Sequence, residues 1–407
     1  MAALDVMTIR LHLPKTRVLE VVEDLPERLV VAVAAIAGWV RCSACGFKTR
    51  TLHQTKKVAV RDLPVGGRPT TLLWHRRRFA CRRCGTTTTE SHPQVTGHLT
   101  NRLRAALVAE VRDSTVAAAA RRHGLGWHQV MAVVLDYAKI VFFRRRRVRC
   151  RVLAVDEKSL VKGHGGFSTI VSDAETGAVV AVLPGRSGRV LERFLARQSR
   201  SWCQGVQVVV TDMASCYRGA IARQLPGAAH VVDRFHVVRN VMAVVVEARR
   251  AAQRSERGRP HDPAVFRARF TLMRRIDRLS AADMAELTTL FARHPHLGGA
   301  WEMAQRFHRI YEADGYEAAM EAVGEFVDAW ERTRTAMGSA VRSLLRWSEQ
   351  VFAFHAHGRW TSASAEGVNN RIEVLERKAY GFRKPVNHQA RILIECAGHP
   401  ARCRAAA

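Results

Sequence analysis

Cys42 and Cys45 in CSAC, and Cys81 and Cys84 in CRRC, form two CxxC pairs, each followed at once by a glycine, Gly46 and Gly85. Four thiolates at that spacing suit a tetrahedral structural zinc ion (Zn2+), and the glycine lets the chain turn tightly around a metal. Cys150, Cys203, Cys216, Cys396 and Cys403 stand alone and read as packing residues. A second set is acidic. Asp156 closes the apolar run VRCRVLAVD and Asp212 closes VQVVVTD, so each is expected at a strand end. Carboxylates at neighbouring strand ends repel one another and call for a shared proton or a cation. Mg2+ (or Mn2+) answers that need with oxygen ligands, and two such ions roughly 3.5–4 Å apart are the arrangement of two-metal phosphoryl transfer. That chemistry asks for about three acids.

Composition names the class of partner. Lys and Arg number 65 against 36 Asp and Glu, a formal charge of +29, which is the footprint of a polyanion-binding protein, with nucleic acid first. The apolar run from Leu29 to Val40 is too short to span a bilayer and reads as buried strand, so a cytosolic location and no membrane role are expected. Cysteines in a reducing compartment argue for metal spacing rather than disulfides.

The elements that must position these groups follow from pattern. KKVAVRDLPVGGRPTTLLWHRRRF reads as two strands joined at Gly66 and Gly67, which brings the two CxxC knuckles together as a zinc ribbon. Thr100 to Tyr137 reads as helical, with a Ser114 cap, a break at Gly124 to Gly126 and a second amphipathic helix, the helix-turn-helix pattern. The arginine run Arg144, Arg145, Arg146 and Arg147 reads as a basic linker placed to grip phosphates. Beyond it come three strands and then alternating helix and strand, with AHVVDRFHV as the last strand, the order of a ribonuclease-H-like domain. Residues 237–356 read as an all-α insertion, including PAVFRARFTLMRRIDRL as one helix. Ser362 or Ser364 caps a later helix whose buried stripe is Val368, Ile372, Leu375 and Ala379. Glu366 lies in its first turn, with Asn369 and Asn370 one turn on; periodicity alone makes it an exposed acid favoured by the helix dipole.

Four blocks together resemble the insertion-sequence transposases of the ISL-three family: CSACG with CRRCG, AVDEKSLVKGH, VVVTDMASCYRGAI with HVVDRFHVVRN, and AEGVNNRIEVLERKAYGFR. The resemblance covers nearly the whole chain. It implies a DDE triad at Asp156, Asp212 and Glu366 binding two Mg2+ (or Mn2+) ions, and a helical insertion before the glutamate. It implies cleavage at terminal inverted repeats, strand transfer into target double-stranded DNA, and a homodimer or higher oligomer on DNA. The expected architecture is multi-domain α/β: N-terminal strands and zinc ribbon over 1–95, helix-turn-helix over 96–143, ribonuclease-H-like core over 144–236, all-α insertion over 237–356, and a C-terminal part with Glu366 over 357–407.

Alternation along the strand turns Glu157 away from Asp156, and turn chemistry accounts for Asp173. Asp233 and His236 are possible accessories to metal or DNA positioning, and His164 is a weaker case of the same kind. Arg371, Arg377, Lys378 and Arg383 beside the glutamate are expected to bind phosphates. The alternative function is a catalytically silent, transposase-derived DNA-binding regulator. Replacing Asp212 by Asn separates the two, since a pure binder loses nothing.

Overall fold

The computed structural model describes residues 11–145, 147–161, 166–254 and 263–397. Arg146, His164 and Cys403 lie outside the described residues. The chain divides into two compact units, one of residues 1–140 with 375–395 and one of 141–374 with 396–407.

In the first unit, β1 (Thr16–Leu25) and β2 (Arg28–Ala35) form a hairpin, and β3 (Val40–Arg41) and β4 (Lys48–Thr49) a small sheet of their own. β5 (Thr51–Val65) and β6 (Arg68–Ala80) form a long antiparallel hairpin, with β7 (Thr87–Thr89) on β6, followed by β8 (Val95–Thr96) and β9 (Leu99–Thr100). The large sheet runs β1-β2-β6-β5-β9-β8, with β2 parallel to β6. Gly66 (φ +60°) and Gly67 (φ +79°) are both left-handed, as a two-residue hairpin loop that matches strand twist requires. Leu29, Val31, Val33, Val60, Leu72 and Trp74 close the core. The buried strand expected over 29–40 ends at Ala35, and Ile36 is exposed.

Three helices follow, α1 (Asn101–Asp113), α2 (Val116–Arg122) and α3 (Trp127–Arg145). Ser114 does not cap the second of them. It closes α1, its hydroxyl donating to the Glu110 carbonyl (3.0 Å), while the Thr115 hydroxyl accepts from Ala118 N–H (3.0 Å) as the N-cap of α2. The break falls where expected, with Gly124 at φ +57°. The expected basic linker is partly helical, because α3 runs on through Arg144 and Arg145. The C-terminal carbonyls of α1 are taken up from the far end of the sequence. Arg391, 1% exposed, donates to the Val111 carbonyl (2.9 Å), and Lys378 Nζ to that of Arg112 (2.5 Å).

The second unit is built on a five-stranded sheet. β10 (Val152–Val161), β11 (Gly166–Asp173) and β12 (Ala178–Pro184) are antiparallel neighbours; α4 (Gly188–Leu195) and α5 (Arg200–Gly205) lead to β13 (Val208–Thr211), and α6 (Ser215–Gln224) to β14 (Ala229–Val232). The order is β12-β11-β10-β13-β14, with β10, β13 and β14 parallel. One face packs Leu153, Val155 and Val209 against Phe194, Trp202 and Tyr217, and the other packs Val152, Val208 and Val210 in a core with Val241, Phe307, Phe326 and Phe354.

Helices α7 (Arg234–Arg254), α8 (Pro263–Arg267), α9 (Ala281–Arg293), α10 (Pro295–Glu312), α11 (Tyr316–Thr333), α12 (Gly338–Arg346) and α13 (Ser348–Ala356) precede α14 (Ala363–Lys378) and α15 (Pro385–Cys396). Three expectations change. The strand read as AHVVDRFHV stops at Val232 and Arg234 begins a helix. The single helix expected from Pro263 ends at Arg267 and gives way to turns, leaving Phe270 69% exposed. Asp156 is not at a strand tip, because pairing with β11 carries β10 on to Val161. What ends near Asp156 is the parallel pairing, whose last partners are Val155 and Thr211.

Candidate functional site

Two identical turns build the sulfur cluster of the first unit. Cys42 N–H donates to the Phe47 carbonyl and Gly46 N–H to that of Cys42 (2.8 and 2.9 Å). Cys81 and Gly85 repeat this with Thr86 and Cys81 (2.9 Å each), and both glycines sit at φ +72°. The four Sγ atoms of Cys42, Cys45, Cys81 and Cys84 lie within 4.8 Å of one another. A cation that binds thiolates needs them deprotonated, and the backbone N–H groups of Cys45 and Ala44 pull the Cys42 thiol down to about 6. Donor type, number and spacing all fit a closed tetrahedral zinc site.

The carboxylates of the second unit are set by register. Val155 pairs with Thr211 and Thr211 with Val232, so the next residues, Asp156, Asp212 and Asp233, form one row across β10, β13 and β14. Helix α14 is tied to both ends of that row. The Ser362 hydroxyl donates to Asp233 Oδ2 (2.6 Å) and its N–H lies 3.3 Å from Oδ1, while Asn369 Nδ2 donates to Asp156 Oδ2 (2.5 Å). Lys158 Nζ to Glu373 Oε1 (2.8 Å) and Arg371 to the Gly177 carbonyl (2.6 Å) extend the attachment. The distances agree: seven helical residues rise about 10.5 Å, and two inter-strand spacings are about 9.6 Å. Glu366, four residues after Ser362 and three before Asn369, shares their helix face, but among the described residues only the four cysteines form a group of three or more metal-ligating side chains within reach of one ion, so the Glu366, Asp156 and Asp212 carboxylates do not meet in such a group. Glu366 is exposed, as its periodicity implied. Ser362 immediately precedes the helix, and its hydroxyl is spent on Asp233 rather than on the helix's first N–H groups.

Burial holds the Asp212 carboxyl above the usual aspartate range; the Ala214 N–H, which donates to Oδ1 (3.1 Å), and His236 oppose this, and the charge of Asp156 adds to it. Glu157 faces the other side of the sheet, as alternation implied, and accepts from the Tyr217 hydroxyl (3.1 Å). Burial pushes its carboxyl up as well. Asp173 accepts from Glu175 N–H and the Thr176 hydroxyl in its turn (2.9 and 2.8 Å). Asp233 is 1% exposed, and His236 Nε2 lies 3.9 Å from it. The cations expected to bind phosphate fall into both units. Arg144 and Arg147 are exposed and Arg145 half-buried; Arg371 is exposed, as are Arg377 and Arg383. Lys378 is engaged by the Arg112 carbonyl and Glu395. Sequence reasoning placed Asn369 beside Glu366 but gave it no task, and it passed over Ser362 except as a cap. Neither bond was visible, because each spans more than a hundred residues.

In the helical triad, buried Val116, Ala119, Val130 and Val134 back the two later helices, and Trp127 and His128 are exposed at the start of α3. Glu110 accepts from His123 Nε2 (2.8 Å), which fixes the turn.

Comparison with known proteins matches three stretches of the chain. Residues 40–84 match the zinc-finger of transposase IS204/IS1001/IS1096/IS1165, residues 97–138 the helix-turn-helix domain of transposase family ISL3, and residues 153–392 the transposase domain model of that family. The chain is 29% identical to the transposase for insertion sequence element IS1001 of Bordetella parapertussis over 89% of its own length and 90% of that protein's. It is 26% identical to the transposase for insertion sequence element IS1557 of Mycobacterium tuberculosis, over 68% of this chain and 67% of the relative. A zinc ribbon, a helix-turn-helix and a transposase domain stand in that order, and the chain belongs to the ISL3 family of transposases.

Proposed function

We propose that this transposase binds the terminal inverted repeats of its own element and catalyses DNA strand cleavage and strand transfer through Asp156, Asp212 and Glu366. The observation that carries the reading is the register that sets Asp156, Asp212 and Asp233 side by side, with the Glu366 helix bonded to Asp156 through Asn369 and preceded by Ser362, which is bonded to Asp233. Oxygen donors on adjacent strands suit hard divalent cations, so Asp156 and Asp212, with Glu366 from the helix, would hold two Mg2+ or Mn2+ ions. When bound, such ions supply an activated attacking oxygen and neutralise the charge on the leaving one. Asp156 and Asp212 contribute fixed oxygens from the sheet, and Glu366 contributes one from the exposed first turn of α14, on the side open to substrate. No serine or tyrosine nucleophile is required.

The sheet order, with three antiparallel strands and two further parallel ones, supports a ribonuclease-H-like core over 144–236 and 357–407, and the run from α7 to α13 supports an all-α insertion over 237–356. Residues 1–95 are the ribbon portion and 96–143 the helix-turn-helix. In the latter, Trp127 and His128 are presented at the start of the third helix, where base edges are read. Arg144, Arg145, Arg146, Arg147, Arg371, Arg377 and Arg383 are assigned to backbone phosphates. Lys378 takes that role only by leaving the Arg112 carbonyl. Paired processing of two ends asks for a dimer or larger assembly on DNA, in the bacterial cytoplasm at the nucleoid. Among the described residues no helix is long and apolar enough to cross a membrane.

The test is strand cleavage of a linear DNA carrying the element's terminal repeats, with Mg2+, by the intact protein and by Asp156→Asn, Asp212→Asn and Glu366→Gln. Loss of cleavage in all three with repeat binding retained is the expected result. Cleavage retained in any of them overturns the assignment of that residue.

A further inference from the structure

We infer that Asn369 is a positioning residue of the metal site, with its amide N–H holding Asp156 and its carbonyl oxygen kept for the hydration shell of a divalent cation. The inference rests on the metal-binding reading of Asp156 and Asp212 and assigns a residue that reading does not require. Asn369 Nδ2 donates to Asp156 Oδ2 at 2.5 Å, and Asp156 Oδ1 accepts the N–H of Glu157 at 2.8 Å. The amide orientation is dictated by its neighbour: an ionised carboxylate only accepts, so the nitrogen must face Asp156 and the oxygen must point away. That oxygen, Asn369 Oδ1, is buried and has no hydrogen-bond partner among the described residues.

A buried acceptor left unpaired costs about 1–3 kcal/mol, which makes it rare unless a ligand or water completes it. Here it belongs to a residue three positions from Glu366 on the same helix face, whose amide nitrogen donates to the carboxylate of one candidate ligand. What completes it must donate a proton or carry positive charge. A water bound to a divalent cation does the first, and the cation itself does the second. Ser362 and Asp233 make the counterpart at the other end of the helix, where both Asp233 oxygens are matched while the nearby buried Ser364 Oγ has no partner among the described residues. Only the Asn369 oxygen belongs to an amide that is itself bonded to a candidate metal ligand.

The experiment measures Mn2+ binding by calorimetry to the zinc-loaded full chain freed of other divalent ions, for wild type, Asn369→Ala, Asn369→Leu and Asp212→Asn, with the melting midpoint of each taken without Mn2+. The inference expects both Asn369 variants to bind Mn2+ about tenfold or more weakly with metal-free midpoints close to wild type, and raised metal to restore cleavage. Leucine has nearly the shape of asparagine, so it keeps the test open where alanine fails to fold. Unchanged affinity in either folded variant overturns the inference, as does a fall in the metal-free midpoint of both variants, which marks Asn369 as structural. Failure of the parent reading looks different: Asp212→Asn would then bind Mn2+ as the wild type does.

Discussion

A carboxylate held above its usual range must lose a proton before it takes a cation, so burial of Asp212 works against metal binding as pH falls. Cleavage with Mg2+ should therefore decline on acidification at a higher pH than an unperturbed aspartate would impose, a shift read from a pH–rate profile at fixed metal. Stability has the opposite sign. A raised folded pKa contributes stability below the unfolded value, and the contribution disappears as pH rises through the folded value. Near neutrality, without a divalent ion, Asp212 therefore destabilises the chain. Asp212→Asn should raise the metal-free denaturation midpoint while lowering cleavage by at least about 10³-fold, and addition of Mg2+ should stabilise wild type but not the variant. Asp156 and Asp212 stand out in the sequence because apolar runs ending in an acid are a local signal. The role proposed for Glu366 does not, since its own helix explains its exposure equally well, and it comes from the family resemblance.

At the level of elements, α14 depends on bonds whose partners lie far away along the chain. Ser362→Ala would leave Asp233 buried with one fewer donor, at a cost of about 2 kcal/mol, measurable by chemical denaturation. It should also lower cleavage, because the helix end nearest Glu366 loses its anchor. In the zinc ribbon, Gly46→Ala and Gly85→Ala each force a side chain into a left-handed turn, costing about 1 kcal/mol; faster zinc release to a chelator is the readout. The ribbon's long hairpin was legible because a two-glycine turn between alternating strands is local information. The parallel pairing of β2 with β6 was not, and neither was the ion pair of Arg102 with buried Asp62, because both join segments brought together by packing alone. Ser114 was mistaken for a cap because it and Thr115 offer the same chemistry one residue apart. Backbone geometry, which composition does not report, decides between them.

For the whole molecule, the surplus of positive charge makes DNA affinity strongly dependent on salt. The logarithm of the binding constant should fall linearly with the logarithm of salt concentration, and Arg383→Ala should make that slope shallower by about 1 if it meets one phosphate. Residues 375–395 belong to the unit that holds the ribbon and the three helices, where Arg391 and Lys378 occupy carbonyls at the end of α1. A fragment ending at Ile140 should therefore melt at a lower temperature than the same fragment supplemented with 375–395, as followed by circular dichroism. The arrangement also imposes an order in time. During synthesis the DNA-binding unit lacks its last pieces until the ribosome has translated through residue 395, so a product cut short by a premature stop would be born without a completed grip on DNA and would be a poor competitor for the element's ends.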